Sequence, residues 1–100
     1  MAADITRLRS LCKILRLDPE TQDLCLESRA HHGRVCQNKI DPNCRAQAML
    51  ILEQCAEYLD QGLDVKPILT FLAAQLLCPE CYDSQVRKFV TIWGLQSEWY

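Results

Sequence analysis

Apolar residues recur at intervals of three and four along this chain, and no stretch sustains a period of two. That spacing predicts helices and no strands, because residues three and four apart share one helix face. Ile5, Leu8, Cys12 and Leu15 form a stripe on a first predicted helix from about Asp4 to Arg16. Leu24, Cys25, Ser28, His32 and Val35 share a face of a second, from Pro19 to about Cys36. A third, about Pro42 to Asp60, is apolar over about half its circumference, with Leu50 and Ala46 on the far side. So wide an arc predicts a central helix enclosed by the others. A fourth, about Val65 to Gln75, presents Ile68, Leu69, Phe71, Leu72 and Ala73, and a fifth, about Pro79 to Trp93, presents Tyr82, Val86, Phe89, Val90 and Trp93.

Proline and glycine mark the boundaries. Asp18-Pro19, Asp41-Pro42 and Cys78-Pro79 read as helix starts, as does Asp64 with Pro67 in the first turn. Proline loses no hydrogen bond at the first helical position, and a preceding Asp can accept from the unpaired N–H groups behind it. Gly62-Leu63 and Gly94-Leu95 read as stops, a glycine C′ followed by an apolar residue. The expected architecture is therefore all-α, five helices about a central third one. Residues 1–95 form the domain and residues 96–100 a tail.

With 100 residues and 49% hydrophobic content, the chain has enough apolar material for a core without disulfide staples. No apolar run approaches the roughly 20 residues that cross a bilayer, and no signal peptide opens the chain. A soluble, intracellular protein with no membrane partner is the expectation. Net charge is −2, which argues against generic polyanion binding, but the charge is uneven. Residues 1–45 hold eight Lys/Arg against six Asp/Glu, and residues 46–100 hold three against seven.

Candidate chemistry adds little to this picture. Seven cysteines without a secretory signal read as reduced residues filling helix interiors. Cys78-Pro79-Glu80-Cys81 is a CxxC at a helix start, but a redox role needs a βαβ setting. A zinc site would combine Cys78 and Cys81 with two of His31, His32, Cys36 and Cys44, whose irregular spacing gives no second knuckle. Cys78 is expected to cap its helix instead. No metal and no cofactor are expected. Ser10, Ser28 and Thr70 lack a His and an acid at recognisable spacing, and Gly33, Gly62 and Gly94 are isolated, so no enzyme is expected. Arg9, Lys13 and Arg16 form a basic stripe, joined further on by Arg29, Arg34, Lys39 and Arg45. These seven are the candidate DNA-binding residues. Contacts from such cations to phosphates would be weak and sequence-tolerant.

Five helices about a central third is the plan of the cyclin box, shared with transcription factor IIB. Leu15-Arg16-Leu17 ends the first predicted helix, an acidic-Pro start follows, and His31 and Arg34 lie near the end of the second. Phe71-Leu72-Ala73-Ala74-Gln75-Leu76-Leu77-Cys78-Pro79-Glu80-Cys81-Tyr82, running on to Phe89 and Gly94-Leu95, is the most specific stretch. It resembles the sixth, smallest subunit of the origin recognition complex, in which a Leu-rich helix, a Glu-x-Tyr start, a Phe and a Gly-Leu stop occur at these spacings. The resemblance implies a nuclear DNA-replication protein whose N-terminal, cyclin-box-like domain contacts DNA or other origin recognition and replication proteins. Gln75 and Pro79 stand where that family commonly has a Ser and a Lys, so no phosphate-binding lysine is implied there. The alternative is a protein-binding helical adaptor with no DNA role.

Overall fold

Among the described residues, four α-helices form where local signals agree. In the computed structural model, which describes residues 2–19, 21, 23–26, 36 and 38–100, α1 is Ala2–Leu15, α2 Pro42–Asp60, α3 Lys66–Leu76 and α4 Pro79–Gln96. A 3-10 turn, Ser97–Trp99, follows α4. The all-α expectation holds for the described residues, where pairing of extended backbone is confined to one isolated antiparallel bridge, Leu24 to Lys39.

The caps explain the boundaries. Pro42 occupies the first turn of α2, and the Asp41 carboxylate accepts from the Asn43 N–H at 2.7 Å. At its end, Gly62 takes φ +72°, and the Leu63 N–H reaches the Tyr58 carbonyl at 2.9 Å, the bond that a left-handed C′ residue makes possible. The same closure ends α1 without a glycine. Arg16 sits at φ +57°, Leu17 N–H donates to Cys12 O at 2.9 Å, and Arg16 N–H to Lys13 O at 3.2 Å. Asp64 accepts from the Lys66 N–H at 3.1 Å, although the chain enters α3 through Val65. The stop expected at Gly94 does not occur: α4 runs through it to Gln96, where Ser97 turns its hydroxyl back onto the Gly94 carbonyl at 2.8 Å.

Two expectations are corrected. The second predicted helix, Pro19 to Cys36, is not α-helical at its described residues. Asp18-Pro19 opens a turn, with the Thr21 N–H on the Asp18 carbonyl and the Thr21 hydroxyl on the Asp18 carboxylate at 2.8 Å. Pro19 is fully buried, and its carbonyl is taken by Arg45 Nε at 2.9 Å, which removes it as a helical acceptor. Beyond it, Cys25 N–H donates to Asn38 O and Ile40 N–H to Asp23 O, so the chain returns on itself. Ser28, His31, His32 and Val35 lie outside the described residues.

The central place also moves. It belongs to α3, which packs chiefly against α2 on one side and α4 on the other, with Leu69, Leu72, Ala73 and Leu76 wholly inaccessible. On α2, the third predicted helix, Leu52 and Cys55 are equally inaccessible, but Ile51 is half-buried and Leu50 and Tyr58 are exposed. Its broad apolar arc was wider than the surface it buries. Because α1 packs mainly on α2, the loop after α1 is carried past the N-terminal ends of α2 and α4.

Candidate metal centre and basic groove

The α3–α4 junction brings the first two thiols together. Leu77 leaves α3 in an extended conformation, and Cys78 occupies the N-cap of α4 at φ −68°, ψ 159°. Pro79 follows in the first turn, and Cys81 N–H bonds back to Cys78 O at 3.0 Å. This tight turn sets both side chains on the same end of the helix. Cys78 takes the N-cap position, as expected, but its sulfur makes no capping bond.

The returning loop supplies two more. Cys25 is anchored by its N–H to Asn38 O, and its sulfur accepts the Cys78 backbone N–H at 3.3 Å. Cys36 Sγ lies 3.6 Å from Cys78 Sγ. Asn38 donates its side-chain N–H to Cys78 Sγ at 3.4 Å and to the Glu80 carboxylate at 3.4 Å. All four sulfurs, of Cys25, Cys36, Cys78 and Cys81, lie within 4.8 Å of one another, with Cys25 and Cys78 buried and the other two half-buried. The expectation that the cysteines fill helix interiors is corrected for Cys25 and Cys36, which lie outside any helix, and for Cys78 at a helix cap. Cys44, weighed for a metal from the sequence, is not in the group, and His31 and His32 lie outside the described residues.

The cluster divides charge unevenly. Burial raises the Cys78 thiol, but hydrogen bonds from Asn38, Cys81 and Cys36 outweigh it and bring the pKa down from 9.0 to about 7. Cys81 moves the other way: burial, then hydrogen bonds to Cys78, Cys36 and Cys25, hold its proton in place. Negative charge therefore settles on Cys78, where the Asn38 N–H and the neighbouring thiols can stabilise it.

Sequence reasoning missed Cys25 because it assumed a helix. Across α-helix, positions 25 and 36 would lie about 16 Å apart at 1.5 Å per residue, too far to share a ligand. The signal that could have found it was the composition of that helix face, where Cys25, Ser28 and His32 stand between Leu24 and Val35 at positions a core helix fills with Leu and Ile.

The candidate DNA-binding residues separate into groups. Arg9 and Lys13, one turn apart on α1, line a single open groove of about 690 Å³ with Arg16. Its lining also takes in the apolar Leu8, Cys12, Leu17, Pro19 and Met49 and the carboxylates of Asp18 and Glu53. Arg45 is drawn away to hold the Pro19 carbonyl, a structural role. Lys39 lines a different groove, of about 500 Å³, beside Cys78 and Tyr82. Arg29 and Arg34 lie outside the described residues. No helix among the described residues is long and apolar enough to cross a membrane. Comparison with protein-family models, curated proteins and solved structures gives no match to this chain.

Proposed function

We infer that this chain is a non-catalytic helical module that holds phosphate-rich nucleic acid in the groove between α1 and α2. The observation that carries this reading is the convergence of Arg9, Lys13 and Arg16 on one groove. Three cations about an apolar strip offer phosphate contacts beside a dry wall for the sugar face. The resemblance of the α3–α4 stretch to the sixth subunit of the origin recognition complex supports DNA replication in the nucleus as the setting, with other replication proteins as partners. In this reading the four helices of the described residues, packed about α3, are a cyclin-box-like arrangement.

The protein-adaptor alternative draws on a different observation: Phe71, Leu95 and Trp99 are exposed, at 65, 61 and 83%. Large apolar side chains left in water often mark protein contacts. Anisotropy titration of a labelled duplex across a salt series separates the two. Binding should weaken with salt by a slope of about 0.9 per phosphate contact and be alike for unrelated sequences. Reversal of Arg9 and Lys13 to Glu should flatten that slope, whereas reversal of Arg87 and Lys88 on α4 should change it little. A wild-type chain with no affinity at low salt would leave the adaptor reading standing.

A further inference from the structure

We propose that Cys25, Cys36, Cys78 and Cys81 hold one structural Zn²⁺ ion, which ties the loop between α1 and α2 to the start of α4. This goes beyond the nucleic-acid reading and does not depend on it. The distances suit a metal. A tetrahedral ion with Zn–S bonds of about 2.3 Å sets its four sulfurs roughly 3.8 Å apart. Cys36 and Cys78 are at 3.6 Å, and the whole set lies within 4.8 Å, so closing onto an ion needs adjustments of less than about 1 Å.

The donor set selects the metal class. Four soft thiolates favour zinc or iron over calcium or magnesium, and four protein ligands leave no open position for a substrate. The site is therefore structural. Binding a divalent ion to four thiolates leaves two net negative charges, and the surroundings are arranged to bear them. The Cys78 backbone N–H already points at Cys25 Sγ and the Asn38 amide at Cys78 Sγ, and the Lys39 side chain lines the groove next to Cys78. Such N–H···S bonds are the outer contacts that orient and stabilise metal-bound thiolates. The thiol protons displaced on binding pass to solvent.

The loop needs such a tie. At its described residues the backbone pairs across the short return of residues 23–25 and 38–40, beside the turn bond from Thr21 to Asp18. The metal would close the stretch from Cys25 to Cys36, which carries Arg29, His31, His32 and Arg34 in the sequence, and fix both its ends to the α3–α4 junction.

The test uses the full chain, purified without chelator in a reducing buffer. Elemental analysis and native mass measurement should give one zinc per chain. Titration with a mercurial thiol reagent in the presence of a zinc-sensing dye should release that one equivalent. Replacement by Co²⁺ should give intense visible bands and a near-ultraviolet sulfur-to-metal charge-transfer band whose intensity corresponds to four thiolates. Cys36→Ser should lose the four-sulfur spectrum, while Cys44→Ser, a thiol near the cluster but outside it, should keep it. The wild-type metal content and cobalt spectrum stand even if Cys36→Ser does not fold. A chain that is metal-free as purified and takes up no stoichiometric Zn²⁺ or Co²⁺ would overturn the proposal. So would a spectrum of fewer than four sulfurs, a single iron in place of zinc, or a mass four hydrogens lower from two disulfides.

Discussion

Arg16 closes α1 in a backbone conformation that its own side chain makes costly. At φ +57° the Cβ crowds the following carbonyl, a strain of roughly 1 kcal/mol that glycine escapes. The same residue supplies one of the three cations of the α1–α2 groove. Arg16→Gly should therefore raise unfolding free energy by about 1 kcal/mol in a urea titration, and reduce the salt slope of duplex binding by about 0.9. Loss of stability in that variant would show that packing of the arginine outweighs the strain. In the core, Leu72 is wholly inaccessible between neighbouring helices, so Leu72→Ala should cost about 2–5 kcal/mol. Cys55 adds a pH dependence. Burial pushes its pKa from 9.0 up to about 11, so the folded chain keeps a proton that the unfolded chain loses. Its contribution is complete below pH about 9 and is lost as pH rises through about 11. Thermal midpoints of wild type and Cys55→Ala should converge across that window.

At the scale of elements, one local signal produced two outcomes. Asp-Pro begins a helix at Pro42 and a turn at Pro19. After Pro42 the periodic apolar positions continue without interruption, and the Asp41 cap satisfies an N–H that has no helical partner. After Pro19, Thr21 bonds back to Asp18 and Arg45 takes the Pro19 carbonyl from 26 residues away. The difference gives a paired prediction. Asp41→Ala should cost about 1 kcal/mol and some helical ellipticity, as loss of an N-cap does. Asp18→Ala removes the side chain that holds a turn, and should leave the ellipticity of the chain unchanged. The glycines divide similarly: Gly62, in the left-handed region, ends α2, whereas Gly94 is passed over by α4.

Across the whole molecule, a radius of gyration of 13.0 Å is that of one compact domain of this length. Its two halves are held differently. The packing of α2, α3 and α4 rests on a continuous apolar core. The segment between α1 and α2 adds Leu17, Cys25, Leu26 and Ile40 to that core, and at its described residues it is also held by the backbone bonds of Cys25 and Ile40 and by the sulfur cluster. Hydrogen exchange with and without chelator should separate these halves. Amides of Cys25 and Ile40 are expected to lose protection when metal is removed, while the Leu72 amide in α3 keeps most of its own. Uniform loss of protection would mean that the metal site and helical core unfold as one unit.

By itself the sequence determined α2, α3 and α4, the Asp41 cap, the glycine stop at Gly62 and the reach of the basic stripe along α1, because each depends on residues within about a turn of one another. The existence of a second helix could not be read the same way. Among the described residues of this stretch, the Pro19 carbonyl is taken by Arg45, the Cys25 sulfur by the Cys78 N–H, and the Cys25 and Ile40 N–H groups by the chain's own return, and none of these partners lies within a helical turn. Which helix sits at the centre was likewise decided by packing: α2 has the broader apolar arc, but α3 is short enough to be covered by α2 and α4 together. The four-sulfur cluster is the clearest case. Cys78 and Cys81 meet through two intervening residues, so the sequence showed that pair, whereas Cys25 and Cys36 reach it only because the chain folds back across the start of α4.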